Sequence, residues 1–100
     1  MKQVVLLPLA LKVLDPIRTR AGLKVLDATV LNTKDKVRKA ILDERRLELA
    51  LEGQRWFDLV RTNTVDFEMG LSVNKNYHLF PIPNSEVLAT GGVITQNAGY

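Results

Sequence analysis

Between Val37 and Arg61 (VRKAILDERRLELALEGQRWFDLVR) the chain carries no proline and is rich in Leu, Glu, Arg and Ala, the residues that form helices most readily. Leu42, Leu49 and Trp56 recur at seven-residue spacing, one stripe of a helix advancing about 100° per residue. Leu47, Ala50, Leu51 and Phe57 cover more of its circumference. Glu44, Glu48, Glu52 and Arg55 fall on a further line, close to Val37, Ile41 and Leu59. A charged line with apolar residues at both ends predicts a helix packed on several sides, its charges held in a polar network. Arg45 lies three residues before Glu48 and Arg55 three after Glu52, so helix-spaced partners are at hand. Gly53 interrupts the run, and because glycine costs about 1 kcal/mol against alanine in a helix interior, it predicts a packing requirement or a kink.

The flanking pattern predicts smaller elements. Residues 1–22 form a helical lead-in, with Pro8 near a helix start or at a kink. Asp15-Pro16 marks either a helix start, with Asp as N-cap and Pro at the first helical position, or a kink in one longer helix. Gly22 is placed to end it in a left-handed cap. Leu23 to Asn32 is a connection with some extended character. Thr33 then offers an N-cap for a main helix over residues 33–62, with Asp35 in its first turn, and Asp35–Lys39 and Lys39–Asp43 support its solvent side. From residue 63 the period is lost. The tail, with Pro81, Pro83, Gly91, Gly92 and Gly99, is expected to be mostly irregular, with one helical turn capped by Asn84 or Ser85. The fold class is mainly α, with two to four helices and an irregular C-terminal tail.

Length and composition set the limits. One hundred residues, 46% hydrophobic and 25% charged, describe an ordinary globular domain or part of one, expected to bury somewhat over about 60% of its unfolded surface. The net charge of +3 is interleaved with acids along the chain, so nucleic acid is not indicated as a partner. There is no cysteine, hence no disulfide, thiolate zinc site or lipidated cysteine on this chain. The start has a leader-like apolar run from Val4 to Leu11, but Lys12 follows it and no small-residue cleavage site appears, so no convincing signal peptide is read there.

Candidate chemistry adds little. The line of Glu44, Glu48 and Glu52 lacks the Glu-x-x-His partners of a helical di-iron site, and the single histidine, His78, stands in the tail as a surface or packing residue. No metal, cofactor or catalytic role is assigned. Arginines beside Glu48 and Glu52 favour ionised, structural carboxylates over acid–base catalysts. There is no G-x-S-x-G elbow, and Gly91-Gly92 lacks the lysine and following helix of a phosphate loop. Trp56 and Phe57 are expected in packing, as is Phe80, leaving Phe67, Tyr77 and Tyr100 as scattered rings.

The stretch ILDERRLELALEGQRWFDLVR (Ile41–Arg61) closely resembles the motif near the C-terminus of the SusD/RagB family of nutrient-uptake lipoproteins of the Bacteroidetes outer membrane. RTRAGL (Arg18–Leu23) resembles the end of the preceding helix, and LFPIPNSEV (Leu79–Val87) with TQNAGY (Thr95–Tyr100) the family's closing segment. Ala98 stands where a proline is common, and Gly91-Gly92 where Asn-Pro is common. The resemblance implies a tetratricopeptide-like scaffold in an extracellular glycan- or peptide-capturing protein that caps a TonB-dependent (SusC-like) transporter. It implies a chain resembling the C-terminal portion of such a protein, without its lipidated N-terminus, and a structural rather than ligand-binding role for Glu44, Arg45, Glu48, Glu52, Gly53, Arg55, Trp56 and Asp58. Self-association through uncovered apolar surface is expected. The competing reading is a stand-alone basic helical module that binds a protein or nucleic acid.

Overall fold

A computed structural model describes the backbone of residues 2–100 and the side chains of residues 7–100. Met1 and the side chains at the start of the leader-like run lie outside that range. The described residues are mainly α and contain no strand. In order they form α1 (Lys2–Lys12), α2 (Asp15–Arg20), α3 (Lys34–Glu48), α4 (Arg55–Thr62), α5 (Val65–Met69), a 3-10 turn (Lys75–His78) and α6 (Asn84–Ala89). They divide into two units, residues 1–55 and 56–100.

In the first unit, α1 packs on α2 and α3, and its core is Leu11, Leu14 and Val37, with the carboxylate-bearing Glu44 buried beside them. Pro8 lies inside α1. A separate helix starts at Asp15 with Pro16 in its first turn, but Leu14 stands at the N-cap and no side chain caps it, so Asp15 lacks the capping role expected of it. In the turn between α1 and α2 the Leu14 amide donates to Leu11 O, and the Arg18 amide then donates to Leu14 O. Gly22 ends α2 at φ +72°. The Leu23 amide donates to Arg18 O and the Gly22 amide to Thr19 O, the paired bonds of a Schellman cap. In the connection that follows, the Asp27 carboxylate accepts from the amide and hydroxyl of Thr29 at 2.7 and 2.6 Å. Those bonds, the hydroxyl's first, hold the Asp27 carboxyl below its ordinary pKa. Thr33 caps α3, its hydroxyl accepting from the Lys36 amide at 3.3 Å, and Lys39 pairs with Asp43 at 3.1 Å.

The main helix is two helices. α3 stops at Glu48 and α4 starts at Arg55, so the interruption spans six residues and begins before Gly53. Leu51 and Gly53 both take positive φ, +66° and +75°. Two left-handed residues so close together cannot be accommodated within a right-handed helix. The expected line Glu44–Glu48–Glu52–Arg55 is therefore broken after its second member: Glu52 lies in the turn and Arg55 opens a new helix.

In the second unit, Leu59 and Val65 form the core together with the buried Asp58. Thr62 donates to Asp58 O at 2.7 Å and its hydroxyl meets that of Thr64 at 2.8 Å, which turns the chain from α4 into α5. Gly70 closes α5 in left-handed conformation. α6 begins at Asn84 after Pro83 without a side-chain cap, so neither Asn84 nor Ser85 has the capping role expected of it. The tail is less loose than its composition implies. The Gln96 amide group accepts from Ile82 N and donates to Ile82 O, both at 2.8 Å, imitating one rung of a sheet. Asn97 donates to Phe80 O at 2.7 Å and the Tyr100 hydroxyl to Leu79 O at 3.0 Å. Thus TQNAGY ties down the extended LFPIP segment, whose prolines cannot donate to a ladder.

Candidate functional site

The motif residues are distributed over both units. In the first, Glu44 is only 6% exposed, and its partner comes from α2: Arg18 Nη1 lies 2.5 Å from Glu44 Oε2. Arg18 Nε also donates to Lys24 O at 2.7 Å, so one guanidinium joins α2, the following connection and α3. Its planar fork suits that double task in a way a lysine ammonium does not. One turn further on, Arg20 pairs with Glu48. Two arginines of RTRAG on α2 thus meet two glutamates spaced by one turn on α3. This cross-helix pairing is not readable from intrahelical spacing, which offers only Arg45 as a neighbour of Glu48. Arg45 and Arg55 are also engaged. Glu52 is exposed, outside the charge network expected to include it.

In the second unit, Asp58 is likewise 6% exposed and Arg61 Nη2 lies 3.1 Å from its Oδ1. Trp56 meets His78 edge-on, with ring centroids 6.2 Å apart and planes at 88°. Trp56 Nε1 and His78 Nε2 are buried and find no hydrogen-bond partner among the described residues. His78 is therefore a packing residue of the Trp56 ring, a contact that no spacing in the sequence signals. Phe57 and Phe80 pack on each other at 5.9 Å yet are 57% and 61% exposed, which corrects their expected place in the core. Tyr77 and Tyr100 are not scattered rings: they pair at 5.9 Å, while Phe67 is strongly exposed.

Chemically the arrangement holds helices together. The buried carboxylates of Glu44 and Asp58 face arginines and present no free pair for acid–base work. No group of three metal-ligating side chains occurs among the described residues, and no helix there is long and apolar enough to cross a membrane. These features describe a helical segment tied by charge pairs.

The SusD family model matches residues 6–100, and the chain belongs to that family, also called SusD/RagB. Two curated relatives come from Formosa agariphila. SusD-like protein P38 is 54% identical over 44 residues, covering 44% of this chain and 9% of that protein. SusD-like protein P2 is 33% identical over 75 residues, covering 67% of this chain and 15% of that protein. The matched stretches therefore span less than a sixth of either relative. No solved structure is significantly similar to the chain.

Proposed function

We propose that this chain is the C-terminal portion of a SusD-like nutrient-binding protein, non-catalytic, and that it serves as scaffold rather than as ligand site. The observation that carries this reading is the Arg18–Glu44 and Arg20–Glu48 pairing within a family match over residues 6–100. Two carboxylates of the most distinctive motif, Glu44 and Glu48, are taken up by arginines of a neighbouring helix. Glu44, Arg45, Glu48, Glu52, Gly53, Arg55, Trp56 and Asp58 are then the residues that shape and lock this end of the scaffold. The parent protein would sit on the outer leaflet of the outer membrane, facing the exterior, and deliver glycan to a TonB-dependent, SusC-like transporter. Apart from its parent the chain associates with itself. Sugar sites need ring platforms with converging polar groups on a concave surface. The Tyr77–Tyr100 and Phe57–Phe80 pairs instead meet at tilted angles of 63° and 59°, which presents no flat platform. Calorimetric titration with a panel of oligosaccharides should give no saturable heat up to millimolar ligand. A micromolar dissociation constant abolished by Tyr77→Ala would overturn the scaffold reading.

A further inference from the structure

Residues 79–83 are a stretch of extended chain whose two edges are closed in different ways. Leu79 (φ −104°, ψ 142°) and Pro83 (φ −52°, ψ 131°) bound it in extended conformation. In extended backbone the amide and carbonyl of one residue face the same edge, and those of the next residue face the opposite one. Pro81 and Pro83 fall on one edge and remove its donors. Phe80 and Ile82 fall on the other. There Ile82 offers both an amide hydrogen and a carbonyl oxygen, the pair that a residue of an antiparallel strand exchanges with its partner.

That pair is taken by a side chain. Gln96 Oε1 accepts from Ile82 N, and Gln96 Nε2 donates to Ile82 O, both at 2.8 Å. The same Oε1 accepts from the Asn97 amide at 2.9 Å, which fixes the orientation of the glutamine. Asn97 Nδ2 takes Phe80 O on the same edge at 2.7 Å. A side-chain amide carries the donor and the acceptor of a peptide group, so this edge is closed by an imitation of the strand that would pair there. Other protection is lacking. From Tyr77 to Ser85 the sequence has no Asp, Glu, Lys or Arg, the charged residues that commonly deter edge pairing. Leu79 and Phe80 are 62% and 61% exposed. An uncharged, apolar edge of this kind is a template for the backbone of another chain.

We infer that the Gln96–Asn97 clamp is an edge guard. It occupies the bonding edge of residues 80–82 and keeps out extended polypeptide backbone, the class of partner that this edge fits. Release of the clamp frees the amide of Ile82 and the carbonyls of Phe80 and Ile82, and turns the segment into a site of strand addition.

The full chain and two variants test this, incubated at about 100 μM, within the range in which exposed strand edges associate. The described residues contain no strand, so intermolecular sheet is read against a background free of it, by thioflavin fluorescence and the amide I infrared band. Gln96→Ala, which releases both bonds to Ile82, should raise the thioflavin signal about tenfold over wild type, with the sheet band appearing alongside. Gln96→Ala/Ile82→Pro removes the freed donor and should return the signal to within about twofold of wild type. Mere loss of stability would instead give the double variant the larger signal, and association through apolar side chains leaves the infrared band unchanged. No rise in Gln96→Ala, or as much sheet in the double variant as in Gln96→Ala, overturns the inference.

Discussion

Arg18 and Glu44 are 26 residues apart in sequence and 2.5 Å apart in space. A charge pair so sheltered is stabilising mainly in the sense that neither half tolerates loss of the other. Arg18→Ala should therefore lower stability by about 3 kcal/mol in urea denaturation, by stranding a buried carboxylate. Arg18→Met/Glu44→Leu should recover most of that loss, and the coupling between the two sites is read from the double-mutant cycle. A second residue-scale expectation concerns Asp27, held below its ordinary value of 3.8 by the Thr29 hydroxyl and amide. With the folded pKa depressed, its contribution is present above the ordinary value and is lost as pH falls through the lowered one. A carboxyl-resolved NMR titration should place its midpoint below 3.8, and Thr29→Val should move it back up. Of these residues, the motif glutamates were conspicuous in the sequence. Their partners in α2 were not, because helical spacing identifies neighbours on one helix and is silent about the next.

At the scale of elements, the glycine positions show what local chemistry decides. Gly53 at φ +75° and Gly99 at φ +96° both occupy the left-handed region, but an added Cβ at Gly53 meets nothing within 4 Å. At Gly99 it would lie 2.9 Å from the Asn76 Cβ. Gly53→Ala should thus cost only the backbone term, about 1 kcal/mol. Gly99→Ala should cost clearly more and detach Tyr100 from Tyr77, which equilibrium unfolding and the tyrosine ring shifts would report. Helix α3 and its Thr33 cap were legible from composition and spacing. So was a break near Gly53, though not its six-residue length, because a leucine at positive φ is not what propensity predicts at position 51. In the tail, α6 was expected from its Asn84-Ser85 start, but α5 and the 3-10 turn stand in a stretch where no helical period is readable. The Gln96 clamp on Ile82 was invisible because it joins side chain to backbone across 14 residues.

For the whole molecule the informative quantity is area. An unfolded chain of 11.2 kDa exposes about 16,000 Å², so the 7909 Å² of the folded chain means that only about half is buried. The expectation from length was somewhat over about 60%. The shortfall is carried by exposed Leu9, Val13, Val30, Leu47, Leu51, Phe67 and Leu88 among others. A chain that buries so little is marginal alone, and association adds stability in proportion to concentration. Its urea midpoint should rise between about 2 and 200 μM protein.

Helix class, the Gly22 and Thr33 boundaries and family membership were determined by the sequence itself, since periodicity, caps and an ordered set of motifs are local properties of the chain. The partners of Glu44 and Glu48, the meeting of Trp56 with His78 and the exposure of Phe57 and Leu51 were decided only by tertiary structure. Burial and pairing depend on which distant segment arrives at a surface, and a chain's own period cannot specify that.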